Sequence, residues 1–438
     1  MRIAAVLAGA WALASAAQAQ PAATAEPAKP PEPTVVIHAG TLLAEPGEAP
    51  LKARTVVVRG GKVAQVEAGY LPAERFGAGA RLVDLKDRFV MPGMIDLHKH
   101  IAMPLDATPE TLASEARLTL ETARVARVVL EAGVTTVRDI GDNSGVTFAV
   151  RDAIEAGKLT GPRIVASGRI VSRTGGHGTL RQTGDLPFTP GGCDGPESCR
   201  RVVRENVEAG SDWIKVTVSG SGGEATGSAD AEPIMFPEEA AAVFGAARQA
   251  KRPVAAHAHS IAAINLALEN GARTIEHGGW FDDSSVRLFK AKGAFLVPTA
   301  YVGEFVSTQI AKFSAMPGRL PPEGLTRWTQ ATVANPGRAW RAGVRLGVGS
   351  DSAAEAHATA REVELFVKSG VPVAEAITAA TATNAEILNM GDRIGRIRPG
   401  FEADIIGVAG DPLQDPSKLH AIAFVMKGGE VVNDERVK

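Results

Sequence analysis

Residues 253–278 read PVAAHAHSIAAINLALENGARTIEHG. A short apolar run ends in His257-Ala258-His259, a longer helical segment follows as far as Gly271, and a second short run closes on Glu276-His277-Gly278. Strand, helix and strand in that order form the repeating unit of a parallel sheet with crossover helices. The same alternation extends to both sides, with strands read at 90–97, 135–140, 163–167, 213–218, 253–258, 274–278, 295–299 and 344–349. The helix after the first strand has Thr108 as N-cap, Pro109 as first helical residue and Gly133 as stop. Eight such units over roughly 300 residues predict an α/β fold, a closed (β/α)8 TIM barrel at 91–394. An open doubly wound sheet is the alternative, ranked lower because no glycine-rich phosphate fingerprint follows an early strand.

The ends of the chain have a different texture. Runs rich in β-branched residues at 34–37, 55–58, 62–66 and 81–85 are matched by 403–408, 421–425 and 430–432. They predict a small β-sandwich domain built from both chain ends, 34–90 and 395–438. Ahead of it, Arg2, the apolar stretch 3–16 and Ala17-Gln18-Ala19 read as a signal peptide over 1–19, cleaved after Ala19. A membrane anchor is the competing reading, but the stretch falls short of the about 20 residues that a span requires. Residues 20–33, rich in Pro and Ala, read as a disordered tether. The expected location is therefore periplasmic or secreted.

Lys and Arg total 47 against 49 Asp and Glu, a net charge of -2, which leaves no electrostatic footprint for nucleic acid and no polybasic membrane patch. The expected partner is a small molecule or short peptide; homo-oligomerisation stays open. The two cysteines, Cys193 and Cys199, are six positions apart in a Gly/Pro-rich loop, where a disulfide fits an oxidising compartment. Neither their spacing nor their neighbours suits a zinc site.

Barrel enzymes carry their chemistry at the C-terminal ends of the strands. Here those ends hold Asp96-Leu97-His98-Lys99-His100, Lys215, His257-Ala258-His259, Glu276-His277 and Ser350-Asp351. The two-residue period of a strand puts His98 and His100 on one side, within reach of one metal ion. A His-x-His alone is a weak signal, but five of the nine histidines fall at this one face. Lys215 is an ammonium in an apolar strand and requires either a salt-bridge partner or a neutral amine that can react or be modified. Capping the helix after strand eight is the competing role for Asp351.

Met91-Pro92-Gly93-Met94-Ile95-Asp96-Leu97-His98-Lys99-His100, Gly133-Val134-Thr135-Thr136-Val137-Arg138-Asp139, Trp213-Ile214-Lys215-Val216, Ala256-His257-Ala258-His259, Ile275-Glu276-His277-Gly278, Gly349-Ser350-Asp351 and Pro399-Gly400-Phe401-Glu402-Ala403-Asp404 resemble the amidohydrolase superfamily. The likeness is to its exported imidazolonepropionase-like and Xaa-Pro dipeptidase-like branch, which includes ochratoxin-degrading amidohydrolases, and it covers nearly all of the chain after the tether. It implies two divalent metal ions, usually Zn2+, bridged by a carbamylated lysine and a hydroxide. By position, His98, His100 and Asp351 hold one metal, His257 and His277 the other, and Lys215 joins them. His259 stays open as a replacement for His257 or as a residue behind the ligands. Asp351 would be the general base and acid. His177, in the loop after strand three, and Tyr301, after strand seven, resemble positions that contact the scissile carbonyl or a substrate carboxylate. A solvent-facing loop residue and simple packing are their respective alternatives. Arg138 and Asp139 are expected to pair with each other behind the ligands; His38, His357 and His420 have no role.

The expected activity is hydrolysis of amide or peptide bonds in small substrates with a free carboxylate, such as N-acyl amino acids, dipeptides or ochratoxin-type amides. A lactonase or cyclic amidase on the same site is the alternative. A non-catalytic exported metal-binding protein is the alternative of another class, disfavoured because it has no use for a base beside an open metal position.

Overall fold

The computed structural model describes residues 34–103, 111, 114–142, 144–178, 191–316 and 318–434. The signal read at 1–19, the tether at 20–33, and Thr108 with Pro109 lie outside these residues.

The chain opens with β1 (Val35–Leu42), β2 (Leu51–Arg59), β3 (Lys62–Ala68) and β4 (Arg81–Pro92). Gly60 and Gly61 join β2 to β3 with φ of 55° and 75°. A two-residue hairpin of type I′ has two successive left-handed residues, and glycine adopts that conformation without a Cβ clash. Pro92-Gly93 then splits the stretch 90–97, which the sequence presents as one strand. A Cβ on Gly93 would lie 2.2 Å from Thr135 Oγ1, so the backbone can pass there only without a side chain.

Beyond the split come β5 (Met94–Lys99), α1 (Glu115–Glu131), β6 (Val134–Asp139), α2 (Val146–Glu155), β7 (Arg163–Ala166), β8 (Val171–Ser172), β9 (Gly191–Gly192), α3 (Pro196–Glu208) and β10 (Ile214–Thr217). Next are α4 (Pro237–Gln249), β11 (Val254–Ala258), α5 (Ile261–Asn270), β12 (Thr274–His277), α6 (Asp283–Lys292), β13 (Phe295–Val297), α7 (Ala300–Ser307), α8 (Ile310–Ser314), α9 (Pro322–Arg341) and β14 (Arg345–Leu346). The chain closes with α10 (Ala358–Lys368), α11 (Val373–Thr378), α12 (Asn384–Ile387), β15 (Ile405–Val408), β16 (Ile422–Lys427) and β17 (Glu430–Asp434).

Local sequence accounts for the helix ends. In α5 the Ser260 hydroxyl accepts from Ala263 N, Gly271 ends the helix at φ 97°, and Ala263, Ile264, Ala267 and Leu268 form its buried stripe. In α6 the Asp282 carboxylate caps Ser284 N and Ser285 N, and Gly293 stops the helix in the same left-handed way.

Strands from both ends share one seven-stranded sheet, ordered β17-β16-β15-β4-β1-β2-β3, a topology consistent with a β-sandwich domain. The central strands are parallel, β5-β6-β7 in one sheet and β14-β13-β12-β11-β10-β8-β9 in another. Backbone hydrogen bonds link the two sheets on both sides. Asp212 N donates to Ala166 O at 2.7 Å, Leu97 N to Val348 O at 3.0 Å and Asp351 N to His98 O at 2.8 Å. The last two bring the His98 strand and the Asp351 segment together across more than half of the chain.

Cys193 and Cys199 are bonded to each other and fully buried. The bond ties the start of α3 to β9, and Cys193 N donates to Ser172 O at 2.8 Å, beside the loop that carries His177. A short closed loop removes little unfolded-state entropy, so Cys193→Ser/Cys199→Ser should lower the free energy of unfolding by roughly 2 kcal/mol. Urea titration measures it, and an unchanged midpoint would show that the bond contributes nothing to stability. Among the described residues no helix is long and apolar enough to cross a membrane.

Candidate metal centre

The six residues that the sequence nominates as metal ligands line one cavity of about 160 Å³. His98 comes from β5 and His100 just beyond it, Lys215 from β10, His257 from β11, His277 from β12 and Asp351 from the segment after β14. Parallel strands all present their C-terminal ends to the same side, which is why residues so distant in sequence converge.

Asp351 Oδ1 lies 3.5 Å from His98 Nε2 and 3.4 Å from His100 Nε2, and its Oδ2 lies 3.9 Å from His277 Nδ1. The potential ligand atoms of His98, His277 and Asp351 are all within 4.8 Å of one another, as are those of His257, His259 and His277. His277, Thr299 and Asp351 have φ of 70°, 51° and 53°, a left-handed backbone that costs non-glycine residues about 1–3 kcal/mol each and clusters at functional sites. Asp351 caps no helix, since α10 starts at Ala358 and has His357 as its N-cap.

Burial governs three of the imidazoles, whereas at His100 it is outweighed by the Asp351 carboxylate, which raises that ring above its ordinary value. Burial pulls His98 down to about 4, helped by the nearby Lys215 charge, and holds His257 and His277 well below their ordinary value. These imidazoles are neutral at pH 7, the form that binds metal. Burial also brings Lys215 down to about 8. Among the described residues nothing forms a hydrogen bond or ion pair with its amine, so the salt-bridge reading fails. For Asp351, burial raises the carboxyl, but His98 and His100 outweigh it and hold it well below the carboxylate range. Neutral imidazoles, a carboxylate and an unpaired buried lysine suit divalent cations that prefer nitrogen and oxygen donors.

Buried polar groups hold the donors in place from behind. Glu276 Oε2 lies 2.8 Å from His98 Nδ1, which directs Nε2 toward the cavity. Its Oε1 accepts from Arg138 Nη2 at 2.8 Å and from the Thr274 hydroxyl. Arg138 therefore pairs with Glu276, not with Asp139, whose Oδ2 instead accepts from Ile101 N. Strand alternation explains this, because consecutive residues point to opposite faces. Asp96 braces two strands at once, accepting from His98 N and Ser350 N at Oδ1 and from the Ser350 and Thr359 hydroxyls at Oδ2.

Arg138→Met leaves a buried, half-paired carboxylate and should destabilise the protein by roughly 3–5 kcal/mol. Burial raises Glu276, but Arg138 and His98 prevail and hold it at about 2, below its ordinary 4.5. Its contribution is therefore complete above about pH 4.5 and disappears as the pH falls toward 2. Urea titrations of both proteins at pH 7 and pH 3 test this, and equal stability at pH 7 would refute the role of the pair.

His177 lines the cavity, its ring stacked on that of His257 with centroids 4.3 Å apart. Its Nδ1 and that of His259 are buried without a partner. His257 Nε2 lies 3.2 Å from Gly220 O, and the geometry keeps His257 and His259 both beside His277. Tyr301 is not among the cavity-lining residues. On α7 the stripe facing the cavity is Val302 and Val306, whereas Tyr301 and Phe305 occupy the adjacent stripe, their rings 6.5 Å apart. His38, His357 and His420 lie outside the cavity lining. The sequence offered no sign of Arg319, Trp328 and Phe313, which also line it, because the segment supplying them has no strand periodicity.

The amidohydrolase family model matches residues 89–433 of this chain. Ochratoxinase from Aspergillus niger is 31% identical over 441 residues, covering 90% of this chain and 86% of that protein. A crystal structure of a Xaa-Pro dipeptidase with bound methionine superposes with a TM-score of 0.82 at 28% identity, over 91% of this chain and 99% of the other. The structure of A. niger ochratoxinase gives a TM-score of 0.81 at 26% identity, over 92% and 96%.

Proposed function

Since this chain belongs to the amidohydrolase family and is a hydrolytic enzyme acting on carbon–nitrogen bonds, we propose that it cleaves amide or peptide bonds of small substrates bearing a free carboxylate. N-acyl amino acids and dipeptides are the first candidates, and ochratoxin-type amides belong to the same class. The resemblance to an ochratoxinase and to a Xaa-Pro dipeptidase supports that choice. The linked parallel strands are read as a (β/α)8 barrel, as expected from the structural neighbours. The observation that carries the reading is the meeting of neutral imidazoles, a buried unpaired lysine and an ionised carboxylate in one cavity.

His98, His100 and Asp351 would hold one divalent cation, zinc in the first instance, and His257 and His277 a second, with a carbamylated Lys215 between them. When bound, the cations would supply the charge that acidifies a water and polarises the scissile carbonyl. Asp351 accepts a proton from the attacking water, whose oxygen adds to the carbonyl carbon. The carbon–nitrogen bond then breaks and Asp351 passes the proton to the leaving nitrogen, so that amide plus water yields acid plus amine. His177, whose ring stacks on that of His257, would steady the developing oxyanion. A panel of N-acyl amino acids and dipeptides run beside lactones and cyclic amides tests the bond type; turnover of the cyclic substrates alone would replace this reading.

Export is also proposed, with the segment 1–19 removed on the way. The buried disulfide supports it, since such bonds persist in oxidising compartments.

A further inference from the structure

Arg319 stands in the cavity wall, in the segment between α8 and α9. Backbone contacts anchor it: Leu320 N donates to Gly223 O at 2.8 Å, and Arg319 bridges to Glu224 in an isolated antiparallel pair. Gly222 packs so closely on Trp328 that a Cβ would lie 1.8 Å from the indole Nε1. The guanidinium Nη1 donates to Ser221 Oγ at 3.0 Å and lies 3.6 Å from Glu224 Oε1, with 22% of the side chain exposed. A guanidinium offers five N–H donors in a fixed fork, so these contacts leave donors for an incoming anion.

Lys215 is the other lysine or arginine among the described lining residues, and it stands with the ligand set. Arg319 lies instead on the side of Leu325, since a Cβ on Gly223 would be 3.4 Å from the guanidinium Nη1 and 3.1 Å from Leu325 Cδ1, and Leu325 packs in one apolar cluster with Val302, Val306 and Phe313. A single fixed cation beside an apolar wall suits an amino-acid residue whose carboxylate meets the fork and whose side chain meets the wall. A charged side chain on that wall would lose its hydration without gaining a partner.

We propose that Arg319 anchors the substrate carboxylate, and that the adjoining wall selects an apolar side chain on the residue that carries it. This rests on the amide-hydrolase reading above. Glu224 competes for the guanidinium, so the pair sets the strength of the anchor.

The test uses the purified metal-loaded protein with N-acetyl derivatives of L-phenylalanine, L-leucine, L-lysine and L-aspartate, and with N-acetyl-L-phenylalaninamide. Wild type should favour the phenylalanine and leucine acids by at least about tenfold in kcat/KM. Loss of a charge-assisted contact in Arg319→Met should raise KM for the free acids by roughly 10- to 100-fold, with a much smaller effect on kcat and on the carboxamide. Glu224→Gln, which frees the guanidinium, should lower KM for the acids, a gain that misfolding cannot imitate. Equal losses on acid and carboxamide in Arg319→Met, or a preference for the lysine or aspartate derivative, would overturn the proposal. Calorimetric binding of L-phenylalanine against L-phenylalaninamide separates this from the underlying reading. If no panel member is cleaved, the amide-hydrolase reading falls, while an acid preference that disappears in Arg319→Met upholds the anchor and the lack of one removes it.

Discussion

Asp351→Asn should retain most of its metal yet turn over roughly 10²- to 10⁴-fold more slowly, the range that a positioned general acid–base contributes. Asparagine keeps an oxygen beside His98 and His100, so a ligand survives at that position, but the side chain can no longer take a proton. The wild-type carboxylate stands beside His98 and His100 with Oδ1 3.5 Å and 3.4 Å from their Nε2 atoms, where a water held by the same residues would meet its free oxygen. Metal analysis together with kcat on the best panel substrate provides the check. Near-normal turnover in this variant would take Asp351 out of the acid–base role.

Lys215→Ala should lose metal and turnover together. The lysine is 2% exposed and lines the cavity within electrostatic reach of His98, His257 and His277, and its amine is unpaired among the described residues. The role proposed for it joins two cations, and losing the several kcal/mol that they supply to the reaction would slow it by at least about 10³-fold. Short carboxylic acids added with bicarbonate withheld could restore part of the activity by filling the space left by the side chain. A Lys215→Ala protein with full metal content and turnover would contradict the bridging role.

The features legible in the sequence were those set by local periodicity. The period of two puts His98, in β5, and His100, just past its end, on one side of the chain, and the strand–helix alternation is enough to align the ends carrying Lys215, His257 and His277. The two terminal groups of β-branched runs announced their shared sheet. What escaped depended on contacts that no window of sequence contains. Glu276 stood in plain view next to His277, but its partner Arg138 lies 138 positions away on another strand, and Arg138 was matched instead with its chain neighbour Asp139. Tyr301 resembles a family position that contacts substrate, but the turn of α7 gives the cavity lining to Val302 and Val306. Arg319 depends on contacts with a loop 98 positions away. The break at Gly93 was hidden because a proline and a glycine inside an apolar run do not reveal that β4 and β5 belong to different sheets.

The central claim is that this cavity holds two divalent cations and that they carry amide hydrolysis. Metal content per chain, measured alongside cleavage of the N-acyl amino acid and dipeptide panel before chelation, after chelation and after zinc is restored, tests it most directly. About two metals per chain and activity that disappears and returns with them are predicted. A protein without metal, or cleavage indifferent to chelation, would contradict the account.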